Sequence, residues 1–159
     1  MATSTLIQYL ETAGQSAGQL NTTGLPSAAV GTDSMNRRQV ETFVAAAAIA
    51  VGQVVSLDAS QAEDGDKAIK IKPADSGDTD LVCPVGVALT AATAVGDKVE
   101  VCVRGVCNAT AAAHAKGDVL TVTGTAGEMD TIAAATSPQV AISLDGANPT
   151  AKVFVRGQF

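Results

Sequence analysis

The residues best equipped for chemistry in this 159-residue chain are a single histidine, His114, and three cysteines, Cys83, Cys102 and Cys107. Four such side chains could fill the tetrahedral shell of a zinc ion. Their spacing argues against it, since structural zinc sites bring cysteines in as close Cys-x2-Cys pairs and none occurs. The preferred reading is three small hydrophobes and one surface histidine. Two acidic runs, Asp64-Gly65-Asp66 and Asp75-Ser76-Gly77-Asp78-Thr79-Asp80, offer the carboxylate density a hard cation wants, but neither has a closing glutamate at the right distance, so they read as solvated loops. His114 sits among alanines with no Gly-x-Ser-x-Gly near it, and Gly14-Gln15-Ser16-Ala17-Gly18 lacks the lysine of a phosphate-binding loop. A trimeric nucleotide hydrolase would need an aromatic stacking residue beside clustered Asp, and none is placed so. The residues therefore predict no enzyme, no metal and no cofactor.

Composition narrows the partners. The net charge is −6 and the basic residues are scattered, with Arg37-Arg38 the only adjacent pair. A nucleic-acid binder needs a basic face to neutralise phosphates, so nucleic acid is excluded as a partner. No apolar run is long enough to span a membrane, and no basic segment followed by an apolar one opens the chain, which predicts a soluble protein made in the cytoplasm. Three cysteines leave one unpaired in any disulfide scheme, so reduced thiols are expected. Hydrophobic residues make up 47% of the chain, but with no Trp, one Tyr and three Phe they are mostly Ala and Val. Such a core is thin and favours oligomerisation.

The elements that would position any site are strands. Three times a run of small residues reaches glycine followed by Gln or Asp and then a Val-rich segment: Gly52-Gln53-Val54-Val55, Gly96-Asp97-Lys98-Val99 and Gly117-Asp118-Val119-Leu120. Each predicts a tight turn with positive φ at glycine, feeding a strand. Alternation in 39–44 predicts a strand with Val40, Thr42 and Val44 on one face and Phe43 on the other. Residues 53–58, 83–89, 99–108, 119–123, 140–144 and 152–156 read as further strands, with Pro84 at a strand start or an edge and Gly105 at a bulge or bend. Lys67-Ala68-Ile69-Lys70-Ile71-Lys72 reads as an exposed strand, and in an unbroken strand 99–108 Cys102 and Cys107 face opposite ways. The body, residues 39–159, is thus expected to be an all-β barrel or sandwich of about eight to ten short strands.

Residues 1–38 differ: Gly, Ser, Thr, Gln and Asn dominate, and apolar residues cluster only in Leu6-Ile7-Gln8-Tyr9-Leu10. This predicts an N-terminal arm that, extended, would reach on the order of 125 Å. Leu6, Ile7 and Leu10 suit one face of a short helix equally well as a strand added to another sheet. A tail with no partner is the alternative.

The order of segments from Gln39 onward resembles the capsid decoration, or cement, proteins of tailed bacteriophages. The segments that carry the likeness are Gln39-Val40-Glu41-Thr42-Phe43-Val44, Ala50-Val51-Gly52-Gln53-Val54-Val55, Pro84-Val85-Gly86-Val87-Ala88, Gly96 to Val106, Lys116-Gly117-Asp118-Val119 and Lys152-Val153-Phe154-Val155-Arg156-Gly157. The resemblance implies a trimeric β body on the outer surface of a virion, with an arm that grips neighbouring major capsid subunits. On that reading Leu6, Ile7, Tyr9 and Leu10 are the arm's anchors, and Arg37 and Arg38 either pair with capsid carboxylates or form a solvated hinge. A trimeric receptor-binding or fibre-base module of a virion is the alternative, disfavoured by the shortage of aromatics for a glycan site.

Overall fold

The computed structural model describes residues 38–78, 81–132 and 139–156. These contain nine strands and one short helix: β1 (Gln39–Ala45), β2 (Val54–Asp58), α1 (Asp64–Ile69), β3 (Lys70–Pro73), β4 (Leu81–Ala88), β5 (Lys98–Thr110), β6 (Val119–Val122), β7 (Met129–Thr131), β8 (Ala141–Ser143) and β9 (Thr150–Val155). The fold is all-β, as expected.

Two curled layers share β5. In the first, neighbours run β1-β3-β2-β4-β5, and β5 pairs back to β1, closing a five-stranded barrel. All its pairings are antiparallel except β1 with β3. Phe43, Ala45, Val55, Ile71, Val85, Val99, Val101 and Val103 fill its interior, capped by the loop residues Ile49 and Ala92. In the second, β5 continues into β9, β8, β6 and β7. An isolated bridge from Ala111 to Met129 brings β7 back beside the end of β5. Leu120, Met129, Val140, Val153 and Val155 form this second core, which also covers Val54, Val87 and Cys102 on the outer side of the barrel.

The glycine turns follow one plan. Gly52, Gly96 and Gly117 have φ of 87°, 96° and 91°, the left-handed region that only glycine enters without strain. In each, the residue after glycine donates its N–H to the carbonyl three positions back: Gln53 to Ala50, Asp97 to Ala94 and Asp118 to Ala115. Its side chain also accepts from that residue's N–H, at 2.8 Å, 2.9 Å and 2.7 Å respectively. Gln and Asp recur after glycine because an acceptor of that reach locks the turn in both directions.

Three readings of the sequence are corrected, and a fourth, the two-faced strand at 39–44, holds with its inward face now assigned. In β1 the face that enters the barrel carries Phe43 and Ala45, and Val40 is 40% exposed. The larger apolar surface of Phe43 decides which way the strand turns. The lysine-rich run is not one exposed strand. Asp64 and Asp66 occupy the first turn of α1, where Lys67 and Lys70 pair with them at 2.9 Å and 2.8 Å, and Ile71 then enters the barrel core. Pro84 lies in the middle of β4 rather than at its start, opposite Ser56 of β2, where the register shifts and a bulge tolerates its missing N–H. Cys102 and Cys107 share the second core, because β5 changes partner sheets around Gly105, whose φ is 111°. β7 lies in a stretch where the sequence predicts no strand.

Candidate functional site

The described carboxylates that could have formed a site are occupied by the fold. Asp58 is 4% exposed; its carboxylate accepts from the Ser60 hydroxyl at 2.6 Å and the Gln61 amide at 2.5 Å, and Lys72 reaches it at 3.3 Å. Lys72 also pairs with Asp78 at 2.9 Å. Burial alone would raise the Asp58 carboxyl's pKa, but hydrogen bonds from Ser60 and Gln61, with Lys72 behind them, bring the net shift below the ordinary value. The two acidic pairs therefore serve the chain's own lysines, and the Asp75 carboxylate accepts from the Gly77 N–H at 2.8 Å. His114 Nδ1 lies 2.7 Å from the Ala112 carbonyl and its buried Nε2 meets no partner among the described residues. Among the described residues no three His, Cys, Asp or Glu side chains converge as metal ligands. No disulfide joins the three cysteines.

What the body does present is an uncharged surface at one end of the barrel. The loop after β1 and the loop before β5 are stitched by Ile49 and Ala92, each donating to the other at 2.9 Å. Gly96 donates to Ala45 and Ala45 to Asp97, both at 2.8 Å, which fixes the loops against the strands. Their tips carry Val51, 60% exposed, and Val95, 69% exposed. Around them lie the exposed Ala48, Ala50, Ala91, Thr93 and Ala94, bordering a shallow depression floored by Ile49 and Ala92. The nearest carboxylate in sequence, Asp97, is turned inward onto the N–H groups of Ala94 and Thr93, which hold its pKa below the usual carboxylate range. An exposed group of small apolar side chains backed by rigid turns has the character of a surface suited to contact with another protein.

Of the residues proposed as anchors, Leu6, Ile7, Tyr9, Leu10 and Arg37 lie outside the described residues, and Arg38 is exposed. Val51 and Val95 were missed as surface residues, because in sequence each is indistinguishable from the buried valines around it.

The family model of phage cement proteins matches residues 37–157. The chain belongs to the phage cement protein family. Its fold is also that of the head fiber gp8.5 N base of bacteriophage phi29, with a TM-score of 0.54 and 18% identity over 74% of this chain and 93% of that one. Among curated proteins no sequence relative is found. A cement protein is a structural component of the virion. No helix among the described residues is long and apolar enough to cross a membrane.

Proposed function

We propose that this cement protein binds the outer surface of a phage capsid as a homotrimer and stabilises the shell by bridging neighbouring major capsid subunits. The family match over residues 37–157 carries the reading. The net charge of −6 supports it, since an acidic body suits the outside of a shell, away from packaged DNA. The division of labour is a rigid body, residues 39–159, and an arm, residues 1–38, in which Leu6, Ile7, Tyr9 and Leu10 supply apolar anchors and Arg37 and Arg38 face capsid carboxylates. Three arms on one trimer bind with avidity, because the first contact raises the effective concentration of the others. Bridging then adds interface area of the order of 1,600 Å² per contact that internal pressure must break.

Imaging shells mixed with the purified protein tests this directly. Density at three-fold positions, with links between neighbouring subunits, is the expected result. Deleting residues 1–38 should leave a folded oligomer that no longer binds; retained binding refutes the arm's role. The likeness to a head fiber base favours a second reading, a fibre-base or receptor-binding module, and density projecting outward without links between subunits would select it.

A further inference from the structure

The first barrel is closed unevenly. β3 contacts β1 only at Val44 and Ala45, whereas β5 runs beside β1 from Gln39 to Val44. Over Val40 to Phe43 the second edge of β1 therefore has no partner among the described residues. The backbone directions follow from Ala45, whose N–H and C=O both engage the Gly96-Asp97 turn leading into β5. Alternation along an antiparallel strand then turns Glu41 and Phe43 toward β5, and Val40 and Thr42 toward the open side. The bond from the Ala46 N–H to the Ile71 carbonyl, on the β3 side, obeys the same alternation. Val40 and Thr42 are also exposed in their side chains, and no Lys or Pro guards this stretch in the way edges are normally blunted.

From this open edge we infer that β1 accepts an extended segment of a capsid subunit as an added strand, an inference that rests on the function proposed above. A second copy of this chain is the poorer fit. The antiparallel self-pairing that uses the open groups of both Val40 and Thr42 sets Glu41 directly opposite its own copy, in the closely spaced, non-hydrogen-bonded position where like charges repel most. Gln39 donates to the Glu41 carboxylate at 2.8 Å, which positions that charge. The complementary strand has small or β-branched residues opposite Val40 and Thr42, and Lys or Arg opposite Glu41.

Thr42→Pro and Val40→Pro each remove an open-edge N–H while leaving the β5 ladder bonds of Glu41 and Phe43 in place. Both variants should melt as cooperatively as wild type and bind purified shells at least about tenfold more weakly. Hydrogen exchange on the wild-type protein supplies an independent readout: the Val40 and Thr42 amides become protected on shells. Folded proline variants that bind as wild type, or Val40 and Thr42 amides that exchange freely in the shell-bound protein, overturn the inference. If a proline variant fails to fold, the exchange result decides alone. Wild-type protein that leaves shells bare overturns the proposed function and this inference with it, whereas binding without amide protection overturns only the latter.

Discussion

Replacing Gly86 with alanine should be among the most damaging single-methyl changes in the protein. Gly86 lies in β4 where that strand crosses β5, and a Cβ built there comes within 2.9 Å of the Cys102 carbonyl carbon, closer still to its oxygen, and 3.0 Å from Cys102's neighbour Val101 at Cγ1. The obstructing atoms are mostly backbone, so no rotamer change relieves them. β5 would have to move, and β5 pairs with β1, β4 and β9. Overpacking by a methylene costs roughly 1–3 kcal/mol where side chains can yield. Here the upper end is the floor, about 3 kcal/mol, out of a total of roughly 5–15 kcal/mol for a domain of this kind. At about 4 °C per kcal/mol the melting temperature falls by roughly 12 °C, read by circular dichroism or by the urea midpoint. Gly65→Ala is the internal control. Nothing lies within 4 Å of a Cβ there, and the position is helical, so alanine should be neutral or stabilising by up to about 1 kcal/mol. If Gly86→Ala and Gly65→Ala melt alike, the close approach of β4 to β5 is wrong and so is the barrel closure that depends on it.

Lys72→Met should cost about 3 kcal/mol in urea denaturation, because it leaves the buried Asp58 carboxylate without its cation, and Asp58→Asn in the same background should recover part of the loss. Acid should destabilise the body in a defined window. The pKa values of Asp58 and Asp97 are lowered from the ordinary 3.8, so their contribution to stability is complete above about pH 4 and is lost as pH falls through the folded-state values. Urea midpoints measured from pH 7 to pH 2 should be flat in this respect down to about pH 5 and drop below pH 4, with a shallower drop in an Asp58→Asn/Asp97→Asn double variant. An equal drop in that double variant would remove these two carboxylates from the explanation.

Much of the scaffold could be read from residue order because its turns are local objects. A Gly-Gln or Gly-Asp pair carries within four residues both the left-handed glycine and the acceptor that locks the turn, so three strand starts were legible without knowing any neighbour. Face assignment was less so. In 39–44 the β-branched residues on one face compete with Phe43 on the other, and alternation alone does not show that the larger apolar surface of Phe43 wins and turns inward opposite Val99. The Lys67–Lys72 alternation misled for a different reason: acids at Asp64 and Asp66 pair along a helix at i+3 and i+4, a period that overlaps the strand signal in so short a segment.

The candidate contact surfaces were the least legible, and the cause is tertiary. Val51 and Val95 are exposed because two loops far apart in sequence are stitched together by Ile49 and Ala92, an antiparallel bridge that no local pattern announces. The open edge of β1 is set by a neighbour: β3 is short, Lys70–Pro73, and its contact with β1 is limited to Val44 and Ala45. Were β3 to extend alongside Val40, the same residues Val40 to Phe43 would be an ordinary interior strand with no capacity to recruit a partner. Lengthening β3's pairing by design, without touching β1, should therefore abolish strand addition as surely as proline at Thr42. Shell binding that survives such a capped edge would place the contact elsewhere, on the arm of residues 1–38 or on the Val51 and Val95 loop end.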